Sequence, residues 1–300
     1  MIKDTFASVE TAMSVPRWRS LLFVPAHVPR FVETAHKRGA DGIILDLEDS
    51  VPQDQKREAR RQLSGSVAKV GHKGASVLVR VNRGLRALAT DLDAAVMEGV
   101  DALVLPKTES AEWVSEIANA VSDLERERNL APGHIRFLAQ IETPAALQRL
   151  AGIASAHPRM VAMALGPEDF CAAVGGVPGS DLLLTPNLAV LFAAGAAGLL
   201  PLGFVGSIGE FSDTHTLREA AAYARRLGFA GALAIHPTQV AVFNEAFTPS
   251  AQELEWAHRV VAAENDAAAS GLSAFSLDGK MVDPPVVRRA HYILALDSNN

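Results

Sequence analysis

The chain has 300 residues, 49% of them hydrophobic, and a formal net charge of -6. Its length and apolar content suffice for a large core, and the acidic balance provides no basic surface of the kind that binds nucleic acid. The single cysteine, Cys171, excludes an intrachain disulfide framework and a CxxC metal site.

Eight short apolar runs follow one another along the chain. They are continuous rather than alternating, which is typical of parallel strands that are covered on both faces. We predict strands at residues 20–24, 42–47, 76–81, 102–105, 135–141, 160–165, 202–207 and 231–235.

Amphipathic segments between these strands predict helices at 30–38, 53–68, 111–128 and 216–227. An extra helix is expected at 186–198, and a long one at 250–269 that ends at Gly271. Eight strand–helix units predict a (β/α)8 TIM barrel. The alternative is a doubly wound open sheet, but no glycine-rich dinucleotide fingerprint follows the first strand. We therefore expect a barrel catalytic domain at 1–248 and a C-terminal helical extension with a lid or arm at 249–300.

The first twenty residues carry charges at Lys3, Asp4 and Glu10 and lack a continuous apolar segment. A secretory signal peptide needs such a segment, and a membrane-spanning helix needs about 20 apolar residues in a row. We expect a cytoplasmic protein with no membrane partner.

Two acidic residues come directly after predicted buried strands: Glu142 in the sequence AQIETP, and Asp169 in the sequence LGPEDF. Carboxylates at the ends of neighbouring parallel strands can converge on one hard cation, and Mg²⁺ prefers a few carboxylate oxygens plus water and substrate. Alternatively, each acid caps the helix that follows it.

Catalytic groups of such a barrel follow the carboxyl ends of the strands. Those ends bring together acids suited to a metal, a guanidinium suited to a carboxylate, and two imidazoles. The residues concerned are Pro25, His27, Asp46, Glu48, Asp49, Arg80, Asn82, Lys107, Glu142, Glu168, Asp169 and His236.

Arg80 lies inside an otherwise apolar strand. Its planar fork suits a substrate carboxylate that is held by two hydrogen bonds. The alternative is a structural ion pair with Asp46 or Glu48. Asp46, Glu48 and Asp49 are more acids than one divalent site uses, so we expect them to orient metal-bound waters and Arg80. Asp49 is equally compatible with capping the next helix.

Gly166, Pro167 and Glu168 open a helix with a tight turn rich in N–H groups, which suits an anionic group. Beside a metal ligand, this turn favours an α-keto acid whose carboxylate contacts backbone amides. His236, by contrast, is more commonly explained as a core histidine. Lys56 and Arg60 lie one helical turn apart, which is typical of a solvated face, with contact to ligand phosphates as the alternative.

Several motifs occur in the order found in the HpcH/HpaI aldolase and citrate lyase β-subunit (CitE-like) superfamily, which the chain resembles over nearly its whole length. The motifs are RSLLFVP at 19–25, DLEDSV at 46–51, RVN at 80–82, LPK at 105–107, QIET at 140–143, IHPTQ at 235–239 and the tail at 279–284.

The resemblance implies a Mg²⁺-dependent carbon–carbon lyase that cleaves a 3-hydroxyacyl thioester, such as citramalyl-CoA or malyl-CoA, into acetyl-CoA and an α-keto or aldehyde acid. It implies that Glu142 and Asp169 bind the metal, that Arg80 binds a carboxylate and that Asp283 is the catalytic acid. Related lyases close their sites with this tail in trimers. We therefore expect a homo-oligomer in which Asp283 serves a neighbouring subunit.

Two departures from the family pattern lie near the expected ligand mouth. Ala26-His27 stands where the family usually has a glycine-led turn, and Leu202-Gly203 stands where many members carry an Asp. The thioester substrate therefore stays open. The alternatives are a carrier-dependent citryl-thioester lyase subunit of a multi-chain complex, and a metal-dependent pyruvate aldolase that acts on free aldehydes.

Overall fold

A computed structural model describes residues 16–179, 181–209, 211–269 and 274–297. The predicted helix end at Gly271 and the charges at Lys3, Asp4 and Glu10 lie outside these residues. The chain divides into two compact units, Met1–Glu245 and Ala246–Asn300. None of the helices within the described ranges combines the length and hydropathy that a membrane-spanning segment requires.

The first unit is built on a ring of eight parallel strands. Neighbours in the sheet follow the order β7-β6-β5-β4-β3-β2-β1-β8, and a parallel bridge between Leu202 and Gly231 joins the two ends. The strands are β1 (Ser20–Pro25), β2 (Gly42–Asp46), β3 (Ser76–Arg80), β4 (Ala102–Leu105), β5 (Arg136–Ile141), β6 (Met160–Leu165), β7 (Leu200–Leu202) and β8 (Ala232–Ala234). The prediction of a (β/α)8 barrel is confirmed.

Helices follow the strands of the ring. They are α1 (Pro29–Ala35), α2 (Lys56–Val70), α3 (Leu85–Ala95), α4 (Ala111–Glu127), α5 (Pro144–Leu147), α6 (Leu150–Ala154), α7 (Pro167–Val174), α8 (Leu184–Ala196), α9 (Thr214–Leu227) and α10 (Pro237–Ala246). Side chains of Ser110, Thr143 and Asp213 accept backbone N–H bonds at the starts of α4, α5 and α9. Such caps satisfy donors that have no partner within the helix, and they fix where each helix begins.

The strands are apolar on both faces because one face fills the barrel and the other supports the helices. Ile44 and Leu78 point into an interior cluster that also contains Leu138, while Ile43 and Leu45 are equally buried. Small residues such as Ala162 complete the interior layer. Continuous apolar runs in the sequence follow directly from this double burial.

The seventh strand differs from the sequence prediction of 202–207. It spans Leu200–Leu202 and stops before Gly203, whose φ of 150° lies in the region that favours glycine. The apolar residues beyond it are buried by loop packing instead; Phe204 contacts the Phe243 ring at a centroid distance of 5.4 Å. Hydrophobicity alone therefore placed this strand too late.

The second unit contains α11 (Ala251–Ala269), a hairpin of β9 (Phe275–Leu277) and β10 (Lys280–Val282), and α12 (Pro284–Asp297). Asp278 and Gly279 both have positive φ values, 51° and 72°, as a tight hairpin turn requires. Val282 of the hairpin packs with buried side chains of both helices, such as Val260 and Ile293. This shared cluster is the unit's core.

Candidate active site

A cavity of about 360 Å³ opens at the carboxyl ends of the barrel strands. It collects most of the acids predicted from the strand ends, together with one arginine and an apolar wall. Its lining residues are Phe23, Pro25, Asp46, Asp49, Ser50, Arg80, Gln140, Glu142, Leu165, Gly166, Pro167, Glu168, Asp169, Asn187, Gly203, Phe204, Ile208, Gly209, Leu233 and Ile235.

Glu142 follows β5 and is only 2% exposed. Its Oε2 atom is buried and has no hydrogen-bond partner among the described residues. Burial, reinforced by the negative charges of Asp169 and Glu48, raises the pKa of Glu142 to about 8. Thr143, not Glu142, caps α5, so the capping alternative is wrong for this acid.

Asp169 lies in the first turn of α7, whose N-cap is Gly166. It is exposed to the cavity rather than buried. Gly166 is packed against the other acid, since a Cβ atom built on it would lie 2.5 Å from the Cγ atom of Glu142. The backbone of this turn therefore holds the Glu142 side chain in place.

This pair of acids fits a hard divalent cation. A buried carboxylate oxygen without a hydrogen-bond donor, next to a second carboxylate, is stabilised by a positive charge and offers the oxygen ligands that Mg²⁺ prefers. Among the described residues, no group of three or more His, Cys, Asp or Glu side chains is arranged to hold a metal. A two-carboxylate site would leave the remaining positions to water and substrate.

Arg80 ends β3 and is held by two acids. Its Nε and Nη2 atoms donate to the two carboxylate oxygens of Asp46 at 2.7 and 2.6 Å, and its Nη1 atom lies 3.1 Å from Glu48. The Arg80 guanidinium also stacks on the Phe23 ring at 4.7 Å. Burial alone would raise the pKa of Asp46, but the bonds from Arg80 hold it below its usual value.

Arg80 therefore forms the structural ion pair with Asp46, but this pair does not occupy all of its N–H donors. Five N–H groups are present on an arginine. Two donate to Asp46 and one faces Glu48, which leaves two N–H groups, one on Nη1 and one on Nη2. Because Arg80 lines the cavity, both roles considered from the sequence are compatible with one another.

Glu48 and Asp49 are linked by Lys107, whose Nζ atom lies 2.6 Å from Glu48 and 2.9 Å from Asp49. Lys107 adopts a φ of 48°, which is uncommon for a residue with a side chain. Burial raises the pKa of Glu48 despite the positive charges of Arg80 and Lys107. The helix after Asp49 has Gln55 at its N-cap, so the capping alternative for Asp49 is wrong.

Lys56 and Arg60 do not form a solvated face. The Lys56 ammonium donates to the carbonyls of Leu47 and Glu48 and to the side chain of Asn82. Arg60 pairs with the fully buried Asp91 at 2.5 Å. Lys56 turns inward because the loop after β2 has carbonyl groups that need donors. Arg60 turns inward because the buried Asp91 carboxylate needs a cationic partner.

Glu168 lines the cavity and accepts a hydrogen bond from the Ser207 hydroxyl at 2.7 Å. Ser207 in turn accepts from the backbone N–H of Gly209. Glu168 thus anchors the loop after β7 to the start of α7. The Glu168 carboxylate is therefore part of the cavity wall and is already hydrogen-bonded to Ser207.

Asp283 belongs to the second unit, where it precedes α12. Its carboxylate accepts the backbone N–H of Val286 at 3.4 Å, the geometry of a helix N-cap.

His236 is half-buried and stacks on Phe211 at 4.3 Å, so the prediction of a core histidine is wrong. The Nδ1 atom of His27 is buried without a partner among the described residues.

Sequence reasoning missed two amides that line the cavity, Gln140 and Asn187, which are 4% and 1% exposed. Gln140 opens the QIET motif at 140–143 and is a polar residue near the end of an otherwise mostly apolar strand. Asn187 is a polar residue in a predominantly apolar helix, and that contrast is the signal that identifies it.

The family model described as HpcH/HpaI aldolase/citrate lyase matches residues 19–237. Citrate lyase subunit beta of Escherichia coli K12 is 34% identical over 284 residues, which cover 92% of this chain and 92% of that protein. L-malyl-CoA/beta-methylmalyl-CoA lyase of Rhodobacter capsulatus is 32% identical over a match that covers 92% of this chain and 93% of that protein. The crystal structure of CitE from Mycobacterium tuberculosis with magnesium, acetoacetate and coenzyme A superposes with a TM-score of 0.72 at 31% identity, covering 95% of this chain and 99% of that one. The chain belongs to the HpcH/HpaI aldolase/citrate lyase family.

Proposed function

We propose that the protein is a Mg²⁺-dependent carbon–carbon lyase that cleaves a 3-hydroxyacyl-CoA of the malyl-CoA or citramalyl-CoA type into acetyl-CoA and a keto or aldehyde acid. The observation that carries the proposal is the unpaired, buried Glu142 carboxylate beside Asp169, in one cavity with Arg80. The similarity to a malyl-CoA lyase along almost the whole chain supports it.

Each group has a role that its surroundings favour. Glu142 and Asp169 would hold the cation, which when bound polarises the oxygen that becomes the carbonyl group. Arg80 would bind the carboxylate of the acid half with its two remaining N–H groups, while Asp46 keeps its fork in orientation. The apolar wall of Phe23, Leu233 and Phe204 would exclude water from the breaking bond.

The reaction needs one proton removed and one delivered. Loss of the hydroxyl proton drives cleavage of the bond between C2 and C3, so C3 becomes a carbonyl and the electron pair remains on the thioester as an enolate. Protonation of that enolate gives the acetyl thioester. We assign the proton exchange to Asp283 of a neighbouring subunit in a homo-oligomer, because it terminates a hairpin and its cap bond to α12 is long at 3.4 Å.

A second candidate is a citryl-thioester lyase subunit that works on a carrier protein, which the 34% identity to citrate lyase subunit beta favours. The isolated protein should be assayed with citramalyl-CoA, malyl-CoA and a carrier-bound citryl thioester. Turnover of a free CoA thioester supports the first function, and turnover of the carrier substrate alone supports the second.

The metal assignment has its own test. Glu142→Gln should abolish turnover and Mn²⁺ binding, measured by electron paramagnetic resonance of the free ion. The same change should not lower the melting temperature, since ionisation of Glu142 is already opposed by burial and by Asp169. Full activity in this variant would contradict the proposed ligand set.

A further inference from the structure

One corner of the cavity has a chemistry that the metal and the arginine do not explain. Asn187, on α8, is 1% exposed and lines the cavity beside Gly203. An amide buried in an apolar helix face is destabilising unless it forms hydrogen bonds. Its contacts therefore indicate what this corner can bind.

The orientation of the Asn187 amide is fixed by its partner. Nδ2 donates to the carbonyl oxygen of Leu183 at 2.9 Å. A carbonyl can only accept, so the nitrogen faces Leu183 and the oxygen faces away from it. Among the described residues nothing donates to that Oδ1 atom, and it is left as a hydrogen-bond acceptor for the cavity.

Gly203 leaves the space in which this oxygen lies. A Cβ atom built on Gly203 would be 2.9 Å from Oδ1 of Asn187, and the φ of 150° disfavours a side chain at this position. This corner of the cavity therefore presents a neutral acceptor, the amide oxygen of Asn187, beside a residue without a side chain.

The ring order places this corner across from the arginine. In the eight-stranded ring, β7 is four strands from β3, which carries Arg80, and it is next to β6, which precedes Asp169. A keto acid with its carboxylate at Arg80 and its carbonyl oxygen toward Glu142 and Asp169 would leave its third substituent the side of the cavity formed by β7 and Asn187. Arg80 is the sole cationic side chain among the described residues that line the cavity.

We propose that Asn187 and Gly203 form a specificity subsite for a hydroxyl group on the third substituent of the keto-acid half, an inference that rests on the proposed lyase function. A hydroxyl donates to the Oδ1 atom, whereas a second carboxylate would meet an acceptor and no cation. The preferred thioesters then carry a carboxylate, a hydroxyl and a hydroxymethyl group on C3. Citryl thioesters, which carry a carboxymethyl group there, are disfavoured.

Binding of keto acids in the presence of Mg²⁺, measured by isothermal titration calorimetry, tests this subsite without requiring turnover. Hydroxypyruvate and 2-oxobutyrate have nearly the same size and differ by a hydroxyl in place of a methyl group. We expect the wild-type protein to bind hydroxypyruvate about 5–10-fold more tightly, as one hydrogen bond provides. Oxaloacetate should bind at least about tenfold more weakly than hydroxypyruvate.

Asn187→Leu keeps the volume and removes the acceptor. Its dissociation constants for hydroxypyruvate and 2-oxobutyrate should lie within about twofold of each other, and that for 2-oxobutyrate should match the wild type. Asn244→Leu is the matched control, because Asn244 also donates to a backbone carbonyl, that of Gly39, but does not line the cavity. It should retain the hydroxypyruvate preference.

Equal wild-type affinity for hydroxypyruvate and 2-oxobutyrate, or tightest binding of oxaloacetate, overturns the subsite while leaving the lyase proposal intact. A wild-type preference that survives in Asn187→Leu, or an equal loss of all ligands in that variant, overturns the assignment to Asn187. The wild-type comparison stands even if the variant does not fold. Failure of the wild-type protein to bind any keto acid, pyruvate included, refutes the proposed function itself.

Discussion

Arg80→Lys separates the two roles of this arginine. The substitution keeps the positive charge but replaces a planar fork by a single ammonium group. Two short bonds to Asp46, at 2.7 and 2.6 Å, become at most one. The two remaining N–H groups that we assign to the substrate carboxylate are lost as a geometric pair.

The two losses have different sizes and different readouts. Losing one charge-assisted hydrogen bond to a buried acid reduces the free energy of unfolding by about 2–3 kcal/mol, since Asp46 keeps its bonds from the backbone N–H groups of Glu48 and Ser50. In a barrel of this size that lowers the melting temperature by roughly 4–12 °C. Loss of the substrate clamp should lower kcat/KM about 100–1000-fold.

Arg159→Lys supplies the control for stability. Arg159 is 6% exposed and donates two bonds of 2.6 Å to the two carboxylate oxygens of Glu125. It precedes β6 at the amino-terminal end of the barrel and does not line the cavity. This variant therefore removes the same kind of bond without touching the proposed carboxylate site.

Melting temperature, kcat/KM for citramalyl-CoA and the affinity for pyruvate with Mg²⁺ should be measured for both variants. We expect a lower melting temperature in both proteins, with the larger loss in Arg159→Lys because the Arg159 guanidinium also donates to the Ile135 carbonyl and the Ser122 hydroxyl. Loss of kcat/KM and of pyruvate binding should occur only in Arg80→Lys. If Arg80→Lys melts earlier than the wild type but retains kcat/KM within about threefold of it, the clamp is refuted and the ion pair is purely structural.

Three further outcomes follow from particular contacts. Gly166→Ala should weaken Mn²⁺ binding at least about tenfold, because the new Cβ atom would overlap the Glu142 side chain, whereas Gly195→Ala, with open space around its Cβ position, should leave binding unchanged. Glu125 has a pKa below its usual value because bonds from an arginine and two backbone amides outweigh burial. Its extra stability over Glu125→Gln, measured by urea unfolding, should therefore be complete above about pH 5 and decline as the pH falls through the lowered pKa. Asp283→Asn and Glu142→Ala proteins, each inactive alone, should regain partial activity after they are unfolded and refolded together.

Each of these outcomes has a clear opposite. Unchanged Mn²⁺ affinity in Gly166→Ala would mean that Glu142 is not a ligand or can move freely. A stability difference at Glu125 that does not vary between pH 3 and 7 would contradict the lowered pKa. No recovery in the refolded mixture, with mixed oligomers confirmed by mass spectrometry, would mean that Asp283 serves its own barrel or does no chemistry.

The barrel was predictable because its strands are buried on both faces, which leaves a continuous apolar run for each strand in the sequence. The seventh strand was not, since it ends before Gly203 and the apolar residues that follow are buried by loop packing. The backbone conformation of Gly203 determines where this strand ends, and hydrophobicity carries no information about that conformation.

Charged residues were placed correctly where the strand end alone determines position, as for Glu142 and Arg80 on the cavity. Partners were harder to predict because they come from distant parts of the chain. Lys56 reaches Asn82, and Lys107 reaches Glu48 across 59 positions. A spacing of four residues along a helix shows which side chains are neighbours, but it does not show whether that face meets solvent or buried carbonyls.

The distribution of charge around the cavity explains why its chemistry favours a cation. Arg80 is matched by Asp46, and Lys107 lies between Glu48 and Asp49, so these groups largely neutralise one another. Glu142 and Asp169 have no cationic partner among the residues that the structure describes, and the pKa of Glu142 rises to about 8 as a result of burial and the repulsion between the acids. A neutral side chain in place of either acid would remove this repulsion. Retaining two adjacent carboxylates costs stability unless a bound positive charge compensates it. The same excess of negative charge favours an anionic acid that binds together with a cation over an anion that binds alone.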